Sequence, residues 1–153
     1  MNLANSNKST RLTGVETRVL DFLRTMGLDV DRSEDGIYFF RFGSTVVTVS
    51  LFEDDEDTYV RVASTLLKDF ELSEELITRL LRLNNQVLFG AFLLFEDHTI
   101  SFSATLLGNN LDYNELHKTL RYVAKVSDDF DDVLQAMAGG KKAEDLLDEG
   151  ADL

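Results

Sequence analysis

The chain has 153 residues, 44% of them hydrophobic, which suffices for one domain with a real core and leaves no room for a second. It contains no cysteine, so a disulfide framework and a thiolate metal site are both excluded, in keeping with a reducing cytoplasm. A net charge of −13 repels nucleic acid phosphates and anionic lipid headgroups alike, which speaks against nucleic acid or a membrane as partner. No apolar run approaches a membrane span, and Met1 to Lys8 lacks the apolar centre of a signal peptide, so a cytoplasmic protein is expected.

Residues 1–12 are polar and lack periodicity, and they read as a disordered leader. The first helix is predicted to start at Thr13, because Thr13 and Glu16 have capping-box spacing, and to end at Gly27. Val15, Val19, Phe22, Leu23 and Met26 form its core face. Three strands are predicted next: 36–42 after the turn-like Ser33-Glu34-Asp35-Gly36, then 45–52, then 59–67. Their short connections imply an antiparallel meander. In the second, Val47, Val49 and Leu51 oppose Thr48 and Ser50, the pattern of a sheet with helices on one side and water on the other. The first strand breaks that pattern, since Tyr38 and Phe40 oppose Ile37 and Phe39. Between the second and third strands lies Glu53-Asp54-Asp55-Glu56-Asp57, which has no glycine within it for a calcium loop and reads as a charged hairpin tip.

A second helix is predicted over 73–85, with Ser73 as N-cap, Glu74 and Glu75 at the positive end of the dipole, and Leu72 and Ile77 at hydrophobic-staple positions. Leu76, Ile77, Leu80, Leu81 and Leu83 spread over about 160° at about 100° per residue, wider than the ~100° stripe that one core requires, so two apolar neighbours are expected. The strand predicted over 86–95 is apolar on both faces, with Leu88, Phe92 and Leu94 set against Val87, Phe89 and Leu93. Gly90 within it reads as a bulge or a close backbone approach. After the turn Glu96-Asp97-His98-Thr99, the strand 100–107 is one-sided, with Ile100, Phe102, Ala104 and Leu106 on its apolar face.

The last helix has the clearest entry: Asp112 is the N-cap, Glu115 completes a capping box, and Leu111 with Leu116 makes a staple. Its apolar stripe runs to Met137, roughly 39 Å at ~1.5 Å per residue, unless it breaks at Ser127-Asp128-Asp129. Gly139-Gly140 marks a hinge before an acidic flexible tail, 139–153. The expected architecture is therefore a single α+β domain over 13–138, with a five-stranded antiparallel sheet, helices mainly on one face, and the order α-β-β-β-α-β-β-α.

Chemical motifs are lacking. His98 and His117 are isolated, no Gly-x-Ser-x-Gly elbow occurs, and neither an enzyme nor a metal or cofactor is expected. The informative feature is apolar surface in excess of what one helical layer over five strands buries. It nominates Leu76, Ile77, Leu80, Leu81, Leu83, Leu88, Phe92, Leu94, Tyr38 and Phe40 as contacts for another protein. Such a partner would add as a strand at an open edge or lay apolar anchors into a groove, and the overall acidity favours a basic one. Complete burial by the long last helix is the plain alternative. A regulatory or scaffold subunit that docks through Leu146-Leu147 in the acidic tail is another.

The order of elements resembles the type III secretion chaperone fold and the related YbjN-like family. The residues that carry the likeness are Leu80-Leu81-Arg82-Leu83-Asn84-Asn85, Phe89-Gly90-Ala91-Phe92, the turn before Ile100 and the Leu111-Asp112…Glu115-Leu116 helix entry, and it spans roughly Thr13 to Met137. Acidic, proline-poor YbjN-like proteins of cyanobacteria are similar in size. The resemblance implies a small cytosolic protein, often a homodimer in the secretion chaperones, that binds an extended or partly unfolded stretch of another protein.

Overall fold

The computed structural model describes residues 8–150, so the leader at 1–7 and the tail end at 151–153 lie outside the described residues. The elements are α1 (Thr10–Thr25), β1 (Asp31–Arg32), β2 (Tyr38–Phe42), β3 (Thr45–Glu53), β4 (Thr58–Lys68), α2 (Glu74–Asn84), β5 (Ala91–Leu94), β6 (Thr99–Leu107), α3 (Tyr113–Ala138) and α4 (Ala143–Asp148). All strand pairs are antiparallel, in the spatial order β1-β2-β3-β4-β6-β5. The sheet thus has six strands. The additional one, β1, pairs Asp31 with Phe39 and Arg32 with Tyr38, and two charged residues carry no alternation by which a sequence could announce it.

Lateral register builds the core. Tyr38 lies beside Val49, Val49 beside Val62, and Val62 beside Ala104, while Phe92 lies beside Phe102 and Phe102 beside Ser64. Helices α1, α2 and α3 close this face with Val15, Val19 and Leu23, with Leu76, Leu80 and Leu83, and with Leu116, Leu120, Val123 and Leu134. The antiparallel sheet with its helical layer is the one expected from the strand periods.

Three local expectations change. Helix α1 starts at Thr10 rather than Thr13, because Ser9 Oγ accepts the Leu12 N–H at 3.0 Å and donates to Glu53 Oε2 at 2.6 Å, so a contact with the hairpin selects the earlier cap. Residues 10–12 of the expected leader are therefore helical, and Leu12 is buried. Helix α3 keeps its expected course, unbroken through Ser127-Asp128-Asp129 and with its predicted capping box formed by Asp112 and Glu115. The strand expected over 86–95 shrinks to β5, since Gln86 and Val87 N–H groups turn back to the Leu83 carbonyl and only Ala91 onward pairs with β6.

The third change concerns the tail. Lys68 and Lys141 exchange backbone hydrogen bonds of 2.8 Å, Glu71 N–H donates to Ala138 O at 3.0 Å, and α4 then packs against β3 and β4 with Leu146 buried. Gly140 makes the close pass possible: its φ is +85°, and a Cβ there would meet Lys68 O at 2.5 Å. Val46, which faces away from Val47 and the main core, is buried too. A segment expected to be flexible is tied into the fold because its leucine finds a sheet face to cover.

Candidate functional site

Helix α2 has two apolar faces with different fates. Leu76, Leu80 and Leu83 point into the core, whereas Ile77 is half-exposed and Leu81 is 67% exposed. The arc read from the sequence is real, and its second half is left partly uncovered among the described residues. The Ser73 cap forms, with its side chain accepting from Leu76 N–H, while the staple residues Leu72 and Ile77 both remain half-exposed.

The segment after α2 adds to that surface. Asn84 donates from Nδ2 to the Phe92 carbonyl at 3.2 Å and accepts the Phe92 N–H at Oδ1, 2.6 Å, so one side chain holds both backbone groups of the middle of β5. The outermost strand is thus closed at Phe92, and the opposite sheet edge is only the two-residue β1. Between α2 and β5, Gln86 to Gly90 forms a projecting turn. Gly90 is the close backbone approach expected from the sequence: φ is +78°, and a Cβ would lie 2.7 Å from Ser103 O and 2.9 Å from the Phe102 ring. At the tip, Leu88 is 84% exposed, and its N–H donates to the Tyr122 hydroxyl at 2.7 Å. Phe89 packs on the Tyr122 ring with centroids 4.3 Å apart. With half-exposed Leu94 at the end of β5 and Phe95 just after it, these residues give an apolar strip around the β5 edge of the molecule.

The ten nominated residues therefore divide. Ile77, Leu81, Leu88 and Leu94 lie on the exposed strip, whereas Leu76, Leu80, Leu83, Phe92, Tyr38 and Phe40 are buried and belong to the core cluster. The correction has a simple cause: apolar periodicity marks both buried and uncovered positions, and only packing separates them. Phe89, Phe95 and Tyr122 were not nominated, although Phe89 stood in an apolar run.

Beside the strip, α3 presents a cationic crest. Lys118, Arg121 and Lys125 line a shallow open depression with Phe42 and Tyr122. Lys125 pairs with Asp129 along the helix, while Lys118 and Arg121 have no ion-pair partner among the described residues.

The other charged clusters are structural. The Asp54 carboxyl is held down to about 2 by the Tyr59 hydroxyl and by the Asp57 and Glu56 N–H groups, and Glu53 is lowered by bonds from Ser9 and Arg11. The acidic run is therefore a braced hairpin tip. Burial and the Glu16 carboxylate push Tyr38 up to about 12, and burial of Glu16 is outweighed by hydrogen bonds from Lys8 and Tyr38 and by nearby Arg32, which leave it lowered. No cluster of three or more His, Asp or Glu suited to a metal ion occurs among the described residues. No described helix is long and apolar enough to cross a membrane.

Comparison with solved structures finds the same fold. A chain of the ExsC–ExsE complex superposes with a TM-score of 0.64 at 18% identity, covering 80% of this chain and 95% of that one. A chain of the HopA1–SchA chaperone–effector complex gives 0.63 at 12% identity, covering 82% and 98%. The Yersinia pestis type III secretion chaperone SycH, in complex with a stable fragment of YscM2, gives 0.55 at 15% identity, covering 75% and 98%. Among curated proteins none matches in sequence. The family model TY-Chap1, described as T3SS (YopN, CesT) and YbjN peptide-binding chaperone 1, matches residues 15–146, from the buried Val15 of α1 to the buried leucine of α4. Matched over nearly its whole length, the chain belongs to the TY-Chap1 family of peptide-binding chaperones.

Proposed function

We propose that this protein is a non-enzymatic, cytoplasmic chaperone-like module that binds an extended or partly unfolded segment of another protein and dimerises through the same apolar region. The observation that carries the reading is the strip Ile77, Leu81, Leu88, Phe89, Leu94 and Phe95, uncovered on a chain of net charge −13. Family membership and the complexes formed by proteins of the same fold support a peptide or protein as partner. Because Asn84 occupies Phe92 and β1 is short and charged, apolar anchoring in the strip accounts for binding better than addition of a strand. Docking through the acidic tail is less well supported, since Leu146 is turned into the protein's own fold.

The test compares the wild type with Leu81→Asp, a change at an exposed position. Sedimentation reports self-association, and suppression of aggregation of a reduced, carboxymethylated model protein reports capture of unfolded chain. The variant is expected to keep the wild-type circular dichroism spectrum and to lose both properties. A folded variant that matches the wild type in both would overturn the proposal.

A further inference from the structure

Tyr122 belongs to two surfaces at once. On one side its ring meets Phe89 and its hydroxyl holds the Leu88 N–H; on the other it lines the depression shared with Phe42, Lys118 and Arg121. The exposed apolar tip therefore runs without a break into the cationic crest of α3. We infer that the segment bound here is acidic as well as apolar: its leucine or phenylalanine side chains seat on Leu88 and Phe89, and its aspartates or glutamates face Lys118 and Arg121. This rests on the binding role proposed above and reverses the preference that net charge alone suggests.

Charge complementarity carries the argument. Screening confines electrostatic influence to about 8 Å at physiological ionic strength, so a docking segment responds to the groups beneath it rather than to the charge of the whole chain. Beneath it stand Lys118 and Arg121, unpaired among the described residues, and Lys125, engaged by Asp129. Acids resume at the two ends, with Glu115 committed to the α3 capping box and Asp128 accepting from Ser44. A basic segment laid along Leu88 and Tyr122 would bring its cations against the crest.

The experiment uses three labelled peptides with the same spaced Leu and Phe residues, separated by Asp and Glu, by Lys and Arg, or by Ser and Gln, titrated with full-length protein by fluorescence anisotropy. The acidic peptide is expected to bind about tenfold more tightly than the basic one at low salt, and the difference should shrink as salt rises. The double variant Lys118→Glu/Arg121→Glu should reverse the preference while leaving the melting temperature unchanged. A basic preference, no preference, or acidic binding that survives the double variant would each overturn the inference, and neutral-peptide binding that Leu81→Asp abolishes would then leave the binding role standing. If no peptide binds, both fall. A double variant that changes only sedimentation assigns the face to a second copy and likewise overturns it.

Discussion

Truncation of two neighbouring leucines on α2 tests the division on which the binding surface depends. Leu83 is fully buried, so Leu83→Ala removes its side chain from packed surroundings and leaves a void; such changes cost about 2–5 kcal/mol, and with α3 and β5 packed against α2 and holding the site open about 3 kcal/mol is expected. Leu81 is 67% exposed, so only about a third of a transfer term of ~2 kcal/mol is at stake, and the better helix propensity of alanine returns a few tenths. Leu81→Ala should therefore cost about 0.5 kcal/mol or less. Urea unfolding followed by far-ultraviolet circular dichroism separates the two: at a slope of ~2 kcal/mol per molar, Leu83→Ala lowers the midpoint by about 1.5 M and Leu81→Ala by under 0.3 M. Equal losses in dilute protein would refute the assignment of the two faces. A wild-type midpoint that rises with protein concentration, and does so less in Leu81→Ala, would show a second copy covering the strip.

Other parts of the structure make equally definite demands. Asn84→Ala strips Phe92 of both outward backbone bonds, and should cost about 1–3 kcal/mol and accelerate hydrogen exchange at the Phe92 amide, measured by NMR. Gly140→Ala places a Cβ 2.5 Å from Lys68 O at a φ of +85°, so the 138–149 segment should detach and trypsin should cut after Lys141 and Lys142 faster than in the wild type; an unchanged digestion rate would contradict the docked tail. Tyr38 has its pKa raised from 10.0 to about 12 by burial and by Glu16, so its contribution to stability is whole below pH 10 and disappears as pH rises towards 12. Tyr38→Phe should flatten that alkaline decline in a series of thermal midpoints.

Some boundaries are written locally, and these the sequence determined by itself. The entry to α3 needs only Leu111, Asp112, Glu115 and Leu116, because a cap satisfies N–H groups within its own turn. The strands β3, β4 and β6 follow from period-2 alternation, and Gly90 declares a close approach by being a glycine in an apolar run. Together with the helical stripes of α1, α2 and α3 they determined an antiparallel sheet under a helical layer, and the same pattern pointed to the chaperone family.

Only tertiary structure decided the rest, wherever two local solutions were equally good or the partner lay far along the chain. Ser9 wins over Thr13 because Glu53, 44 residues away, reaches it. The five apolar residues of α2 are alike in composition, and their separation into core and strip depends on where α3 and β5 come to lie. Asn84 reads as a helix terminus, yet its partner is the backbone of Phe92 across a turn. Lys118 and Arg121 are ordinary surface cations until folding sets Tyr122 between them and Phe89. Local pattern says that a residue is apolar or charged, but exposure and neighbourhood are properties of the packed chain, and a binding surface is made of those.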